Sequence, residues 1–489
     1  MNYSVIRNIL GKLMILVAFL MCFPLIVSLI YQEGLIFYLS YLIPIILLLS
    51  IGYICNIKKA KTPKMLARDG IVIVGLSWLI MALAGAIPLM ISQEVPNFFD
   101  AFFEMASGFT TTGASVITDI TEKAHSTLFW RSFSHWIGGM GVLVFILAII
   151  PESKEGSSLH ILRAESPGPQ VGRLVSKMQA SSRILYIIYL VLTLIEFILL
   201  LLDPTMDVFN SLIYSLGTAG TGGFSAHADG LASFSTYSQY IIAIFMFIFG
   251  INFSLFYLLL IGNFKDILKN DELKVYLIIV ILCVTLICIN VYPIYENLEQ
   301  TFRLSLFQVA SIISTTGYAT ADFNLWPVLS KIIILTLTCF GACAGSTAGG
   351  LKLSRVTILV KSAIRKIKNL VTPRKVESIT MDGKPLTDST IETVQGYFVI
   401  YAIVFIVCAI LISIYNPAIQ NLDIVTSLTA SLTCINNVGP GLEMVGPMGS
   451  FAAFSNFSKF VLSLEMIAGR LELFPILLLF SPKIWRKRN

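Results

Sequence analysis

Long apolar stretches alternate with short polar or basic ones along most of the chain. A run of about 20 apolar residues is long enough to cross the ~30 Å hydrocarbon core of a bilayer as a helix. Runs of this kind lie near 10–30, 35–57, 70–91, 128–150, 184–202, 237–261, 275–293, 330–360, 393–415 and 455–480. The first has a basic flank but no small-residue cleavage site after it, so we expect a retained span. The pattern predicts an all-α membrane protein with ten spans.

The distribution of basic residues predicts the orientation of these spans. With the N-terminus inside, the inner segments hold 25 of the 34 Lys and Arg, whereas the outer segments hold only Lys123 and Arg303. Since basic residues favour cytoplasmic loops, we expect both termini in the cytoplasm and the protein in the cytoplasmic (inner) membrane. The net charge of +6 is then a topology signal with an affinity for the lipid bilayer, and we expect no nucleic-acid partner.

Short segments between spans form an internal repeat. Segments 97–113, 206–222, 301–317 and 421–439 are too apolar for solvated loops and too short to cross the membrane. They end in "TTTGAS", "GTGGFS", "STTGYA" and "NNVGPG", whose central glycines we align as Gly113, Gly222, Gly317 and Gly439. We therefore expect four tandem repeats, each a span, a half-length pore helix, a polar glycine strand and a second span, around one pore.

The need to satisfy backbone hydrogen bonds explains where the glycine strands of this repeat can lie. Non-helical backbone within hydrocarbon survives only when it is buried in protein or lines water. Strands from all the repeats can share an axis and point carbonyl oxygens at a dehydrated cation. Glycine permits the required backbone angles, and threonine adds a hydroxyl oxygen. Val438 replaces threonine in the fourth strand, which breaks the fourfold symmetry and leaves ion discrimination open.

The span at 330–360 contains "GACAGSTAGG", a dense cluster of glycines. Each glycine costs about 1 kcal/mol relative to alanine inside a helix, so the helix should loosen or break there. Close helix packing through small residues is one explanation, and an intramembrane loop is the other. The stretch is not a phosphate loop, because Lys352 comes one residue too late.

Arg470 lies in the middle of the last span, where a charge is costly unless it faces water or a partner. One explanation is a structural ion pair with Glu465, Glu472 or an acid of another repeat, and the other is a position that faces water. Arg131 and His135, at the start of another span, are expected to brace the strands rather than bind the ion.

The chain resembles the TrkH/KtrB superfamily of potassium transport proteins, and within it the TrkH-like branch with two extra N-terminal transmembrane helices. The resemblance rests on the stretches "ASGFTTTGAS", "WRSFSHWIGGMGV", "LRAESPGP", "GTGGFS", "STTGY", "GACAGSTAGGLK", "NNVGPG" and "AGRLELFP". The units it implies are an N-terminal pair of spans at 1–69 and pore repeats at 70–160, 161–270, 271–375 and 376–489.

This resemblance implies a channel-like K⁺ uptake protein with a selectivity filter and a gate. The filter residues would be Thr111, Thr112, Gly113, Ala114, Gly220, Thr221, Gly222, Gly223, Thr315, Thr316, Gly317, Tyr318, Asn437, Val438, Gly439 and Pro440. Potassium would bind at Thr112, Gly113, Thr221, Gly222, Thr316, Gly317, Val438 and Gly439. The gate would consist of Gly341, Gly345, Ser346, Thr347, Gly349, Gly350 and Arg470.

The resemblance also implies partners. The chain would form a homodimer and bind a cytoplasmic ring of nucleotide-binding regulatory subunits (TrkA-like), with Arg163, Arg173 and Lys366 among the contacts. We expect no intrinsic cofactor, and K⁺ is the transported ion.

The pattern distinguishes between three classes of protein. An enzyme is disfavoured, since the sequence has no metal-ligand spacing and no nucleophile constellation. An ion-coupled secondary symporter for K⁺ or Na⁺, using the same broken-helix site, is the alternative, although such transporters usually carry inverted repeats. Every repeat here has one orientation, which favours a pore.

Overall fold

A computed structural model describes residues 1–58, 66–141, 178–372, 378–414, 416 and 422–485, with side chains from residue 182 in the third range. The protein is predominantly helical. The first helices are α1 (Tyr3–Ile30), α2 (Leu35–Ile57), α3 (Ala67–Ile91), α4 (Phe98–Phe109), α5 (His125–Gly139), α6 (Met178–Leu200), α7 (Val208–Gly220), α8 (Thr236–Phe249), α9 (Phe253–Leu260) and α10 (Phe264–Lys269). The remaining elements are α11 (Asp271–Tyr295), α12 (Leu298–Ile313), α13 (Val328–Cys339), α14 (Leu353–Val371), β1 (Thr380–Met381), β2 (Lys384–Pro385), α15 (Asp388–Ile414), α16 (Ile424–Asn436), α17 (Asn456–Arg470) and α18 (Phe474–Leu479).

Span-length apolar helices dominate this fold. In the part of the chain that the structure describes, six helices are long and apolar enough to cross a membrane, namely α1, α2, α3, α6, α11 and α15. A seventh span results if α8 and α9 are counted together across their 93° bend. Large apolar side chains such as Ile278, Ile281 and Ile410 are exposed on these helices, as lipid-facing surfaces require. The protein is a multi-pass membrane protein.

The other predicted spans do not form single long helices. The prediction at 128–150 corresponds to α5, and residues 142–150 lie outside the described residues. The prediction at 330–360 is divided into α13 and α14, and the one at 455–480 into α17 and α18. The helix break expected within the glycine cluster is thus confirmed, because α13 ends at Cys339 and α14 begins at Leu353.

The two N-terminal helices pack against each other through glycines. A β-carbon at Gly52 would lie 2.8 Å from the carbonyl oxygen of Gly11, closer than any side chain tolerates. The α1 helix also packs against α3 and α5. This pair therefore lies against α3 and α5.

Each of the short helices α4, α7, α12 and α16 begins at an Asn or Asp that caps it. Asn97 accepts a hydrogen bond from the Phe99 amide (2.8 Å), and Asp207 accepts one from the Asn210 amide (2.8 Å). Asn297 and Asp423 cap the other two helices in the same way. Side-chain oxygens at this position satisfy otherwise unpaired amides of the first turn, so the starts of these helices are fixed locally by sequence.

A β-hairpin, residues 379–386, follows α14. Its turn residues Asp382 and Gly383 both have positive φ (51° and 76°), as two-residue hairpin turns of this type require. Met381 is buried with Ile358 of α14 and Ile391 of α15 in a small separate core. The hairpin is therefore packed against both helices.

Candidate functional site

The four short helices end in the same backbone conformation. The residues Thr111, Thr221, Thr315 and Asn437 all adopt left-handed backbone angles, with φ between 54° and 58°. Two residues later a glycine has a positive φ, which is 80° at Gly113, 78° at Gly223, 85° at Gly317 and 97° at Gly439. Only glycine adopts such angles freely. The shared conformation therefore defines four equivalent segments, which we call the strand segments: residues 111–114, 221–224, 315–318 and 437–440.

The second strand segment corrects the predicted alignment by one residue. Gly223, and not Gly222, matches Gly113 in conformation. The amide of Gly222 donates to the carbonyl of Gly217 (3.0 Å), just as the amide of Thr112 donates to Ser107 (2.9 Å). The residues preceding the positive-φ glycines are therefore Thr112, Gly222, Thr316 and Val438. Alignment of Thr221 with Thr112 was wrong, because Thr221 takes the left-handed position that Thr111 takes in the first segment.

The strand segments contact one another in a closed ring. A β-carbon at Gly113 would lie 2.2 Å from the carbonyl oxygen of Gly222, and one at Gly223 would lie 2.0 Å from that of Thr316. A β-carbon at Gly317 would lie 2.1 Å from the Val438 oxygen. One at Gly439 would lie 2.6 Å from the Thr112 oxygen, which returns to the first segment. Each glycine thus admits the carbonyl of the next segment around the ring.

A partly open cavity of about 240 Å³ adjoins this ring. All the strand segments contribute to its wall, through the glycines and through Ala114, Phe224, Tyr318 and Pro440. Within the described residues, no group of three or more His, Cys, Asp or Glu side chains could hold a metal ion.

Threonine hydroxyls at the helix ends form hydrogen bonds with neighbouring side chains. Thr112 Oγ1 lies 2.7 Å from Thr110 Oγ1 and accepts a hydrogen bond from Asn437 Nδ2 (3.0 Å). Thr316 Oγ1 lies 2.7 Å from Ser314 Oγ. The first and third segments therefore share one arrangement, and Asn437 joins the fourth segment to the first.

A buried ion pair braces the first two strand segments. The Arg131 Nε donates to Glu104 Oε1 at 2.7 Å, and both side chains are at most 1% exposed. The same arginine donates to the carbonyl of Ser225 (3.1 Å) and to Ser115 Oγ (3.2 Å), the residues that follow the two segments. Its guanidinium also lies 4.0 Å from the Phe224 ring centre.

The imidazole of His135 connects the same two segments. Its Nδ1 lies 2.7 Å from the carbonyl oxygen of Gly108, and its Nε2 accepts a hydrogen bond from the Phe224 amide (3.2 Å). These partners assign the neutral tautomer with the proton on Nδ1. Arg131 and His135 thus contact the protein around the ring, as the bracing role requires.

The interrupted helix forms a compact loop, residues 341–350, against the helix ends. Its two ends are joined, since the amide of Gly341 donates to the carbonyl of Leu351 (2.8 Å). The amide of Gly349 donates to Thr315 Oγ1 (2.7 Å) in the third strand segment. A β-carbon at Gly349 would lie 2.7 Å from the β-carbon of Asn437 in the fourth strand segment. The loop is therefore in direct contact with the third and fourth segments.

Arg470 contacts this loop. Its Nη1 donates to the carbonyl of Thr347 (2.8 Å), and its Nη2 donates to the carbonyls of Gly138 and Gly139 (2.6 Å each). The structure thus brings together two features that are far apart in sequence. The acids that we considered as ion-pair partners have other contacts: Glu472 pairs with Arg355, and Glu465 accepts a hydrogen bond from Ser431 (2.7 Å).

Of the predicted partner contacts, Lys366 is exposed on α14. Arg163 and Arg173 lie outside the described residues.

Two buried acids near the site were not predicted from the sequence, namely Glu104 beside the strand segments and Glu272 beside the loop. In the sequence, the only feature that could have indicated these acids is a charged residue within or next to an apolar stretch.

Together, the membrane-spanning helices and the ring of strand segments define a multi-pass membrane transport protein. A family model described as TrkH, cation transport protein, matches residues 42–487. The chain therefore belongs to the TrkH family, and the resemblance found in the sequence is confirmed. This is a family of transporters and not of enzymes.

Individual relatives match this chain over nearly their full length. The chain is 34% identical to the Trk system potassium uptake protein TrkH of Salmonella typhimurium, with 100% of both chains covered. It is 31% identical to the Trk system potassium uptake protein TrkG of Escherichia coli, with 99% of both covered. The crystal structure of the potassium transporter TrkH from Vibrio parahaemolyticus matches with a TM-score of 0.87 and 32% identity, covering 99% of this chain and 100% of that one.

Proposed function

We propose that this protein takes up K⁺ across the cytoplasmic membrane through the ring of strand segments, which acts as a channel-like selectivity filter. The observation that carries the proposal is the cyclic contact of each positive-φ glycine with the carbonyl of the next segment. A ring closed in this way holds carbonyl dipoles of all the segments around one axis, where they can replace the water shell of a cation. The relatives named above are potassium uptake proteins, which supports K⁺ as the transported ion.

The residues just before the positive-φ glycines have twofold rather than fourfold symmetry. At the position before each glycine, Thr112 and Thr316 offer a hydroxyl, whereas Gly222 and Val438 do not. The first and third segments face each other across the ring, since the contacts run in chain order. The side chains around the ring at this position are therefore unequal, and we expect weaker discrimination between K⁺ and Na⁺ there than a complete ring of threonines would give.

The gate in this proposal is the loop 341–350 together with Arg470. The loop contacts the end of the third strand segment through Gly349 and Thr315, and Arg470 donates to its Thr347 carbonyl. A fixed positive charge next to a pore raises the free energy of a passing cation. Movement of the loop and the arginine away from the ring would open the path.

The proposal includes the predicted architecture and partners. The pore repeats are 70–160, 161–270, 271–375 and 376–489, the N-terminal pair is 1–69, and both termini face the cytoplasm. The protein would act as a homodimer under a TrkA-like ring of nucleotide-binding subunits. Exposed Lys366 on the basic helix α14 supports a docking surface on the cytoplasmic side.

Ion flux into liposomes that contain only the purified protein tests this function. A K⁺ gradient alone should drive uptake, Rb⁺ should be accepted, and Na⁺ should pass more slowly. Uptake that requires a Na⁺ or H⁺ gradient would instead establish the coupled symporter. For the gate, Arg470→Ala should raise Rb⁺ flux per folded protein, with Arg303→Ala as a control at a partly exposed pair. A decrease for Arg470→Ala at normal folded yield would exclude its role as a barrier.

A further inference from the structure

One carboxylate oxygen holds both ends of the loop 341–350. Glu272, in the first turn of α11, is 5% exposed. Its Oε1 accepts a hydrogen bond from the amide of Ala344 (2.8 Å), near the start of the loop. The same oxygen accepts one from the amide of Ser354 (2.7 Å), in the first turn of α14 just after the loop. The loop is therefore closed at its base by a side chain from outside it.

Backbone groups at the bend between α8 and α9 also hold the loop, in addition to the contacts of Thr315 and Arg470. The amide of Phe253 donates to the carbonyl of Gly345 (3.0 Å), and the amide of Cys343 donates to the carbonyl of Gly250 (3.1 Å), at the bend between α8 and α9. Hydrogen bonds to a charged group are stronger than those between neutral groups. Glu272 is thus the strongest acceptor for the two ends of the loop.

The hairpin 379–386 fixes the first turn of α11, which carries Glu272. Asp382 Oδ1, in the hairpin turn, accepts a hydrogen bond from the Asp271 amide (2.8 Å). Lys361 of α14 donates to Asp271 Oδ2 (3.0 Å) and to the Thr380 carbonyl (2.8 Å). The hairpin, α14 and the start of α11 therefore form one unit.

We propose that Glu272 is a positioning residue that latches the loop 341–350, and that the hairpin 379–386 keeps this latch in place from the side that we predict to face the cytoplasm. Displacement of the hairpin, for example by a docked partner, would move Glu272 and release the loop. The consequence for transport rests on the proposed function, in which the loop is the gate.

Cysteine labelling tests the latch without relying on transport. Cys343 lies in the loop and is fully buried, and Cys434, in α16, is also fully buried. In Glu272→Ala the two amides lose their acceptor, and we expect maleimide labelling of Cys343, mapped by mass spectrometry, to become about tenfold faster. Cys434 should stay protected. Glu272→Gln keeps an acceptor oxygen and should restore most of the protection, and Asp382→Ala should give a smaller increase than Glu272→Ala.

The matched control is Glu299→Ala, which removes a half-exposed acid from the first turn of α12. Unchanged Cys343 labelling in folded Glu272→Ala would overturn the latch, and so would equal labelling of Cys343 and Cys434, because that result means general loosening. Rb⁺ flux is then measured on the same samples. Faster labelling with faster flux supports both latch and gate, whereas faster labelling with unchanged flux upholds the latch and overturns the proposed gate.

Discussion

A methyl group at Gly113 should disable the ring by displacing a carbonyl of the neighbouring segment. The β-carbon of Gly113→Ala would lie 2.2 Å from the Gly222 oxygen, about 1.2 Å short of the 3.4 Å at which ordinary contact begins. Overpacking of this kind costs about 1–3 kcal/mol, and the left-handed backbone angle adds about 1–2 kcal/mol for a residue with a side chain. The segment that must move is the second, although the substitution is in the first.

The variant Gly262→Ala separates the cost of the close contact from the cost of the left-handed backbone angle. Gly262 has nearly the same backbone angle, with φ of 75° against 80° for Gly113, but nothing lies within 4 Å of its β-carbon position. Both variants therefore carry similar backbone strain, and only Gly113→Ala carries the contact with the ring. The difference between the two variants measures the contact.

The assay is ⁸⁶Rb⁺ uptake into liposomes, normalised to folded protein, with Na⁺ flux measured in parallel. Since 1.4 kcal/mol corresponds to a factor of ten, Gly113→Ala should lose at least about tenfold in Rb⁺ flux or in its preference over Na⁺. Gly262→Ala should stay within about twofold of the wild type in both quantities. Equal flux and equal selectivity in the two variants would refute the reasoning.

Two further predictions concern stability and pH. Glu104→Ala leaves the buried Arg131 without its carboxylate and should lower the free energy of unfolding by about 3–5 kcal/mol. Glu299→Ala, at a half-exposed pair, should lower it by less than about 1 kcal/mol. Similar melting temperatures of the two variants in detergent would contradict this prediction. Burial acts to raise the pKa of Asp203, but hydrogen bonds from Ser235, Ser238 and Thr205 outweigh it and lower the pKa from 3.8 to about 2. The stabilisation by this carboxylate is therefore complete above about pH 5 and is lost as the pH falls through 4 toward 2. The difference in melting temperature between wild type and Asp203→Asn should shrink over that range, and a constant difference would contradict the assignment.

Local signals made the glycine strands and the broken helix predictable from sequence. Glycine at a positive φ and glycine clusters inside an apolar run act through the backbone of a few neighbouring residues, so their effects are visible in a short window. The second strand segment shows the limit of such reasoning. In "GTGGFS" either Gly222 or Gly223 can take the positive φ, and the choice follows from the hydrogen bond of the Gly222 amide to Gly217.

Long-range contacts were not predictable from this single sequence. Glu272 reaches amides 72 and 82 residues away, and Arg470 reaches carbonyls more than 120 residues away. No local periodicity encodes such pairs. The 93° bend after Phe249 was missed because the apolar run at 237–261 reads as one helix, although Asn252, which caps α9 by accepting from the Ser254 amide (2.9 Å), is a local signal for a new helix start.

Anomalous scattering from Rb⁺ tests the central claim most directly. Crystals of the protein in RbCl should show an anomalous peak on the axis of the ring, between the carbonyl oxygens of Thr112, Gly222, Thr316 and Val438. Crystals in NaCl contain no anomalous cation and serve as the control in which this peak should be absent. Rb⁺ density confined to places away from the strand segments, with none inside the ring, would contradict the assignment of the ring as the ion filter.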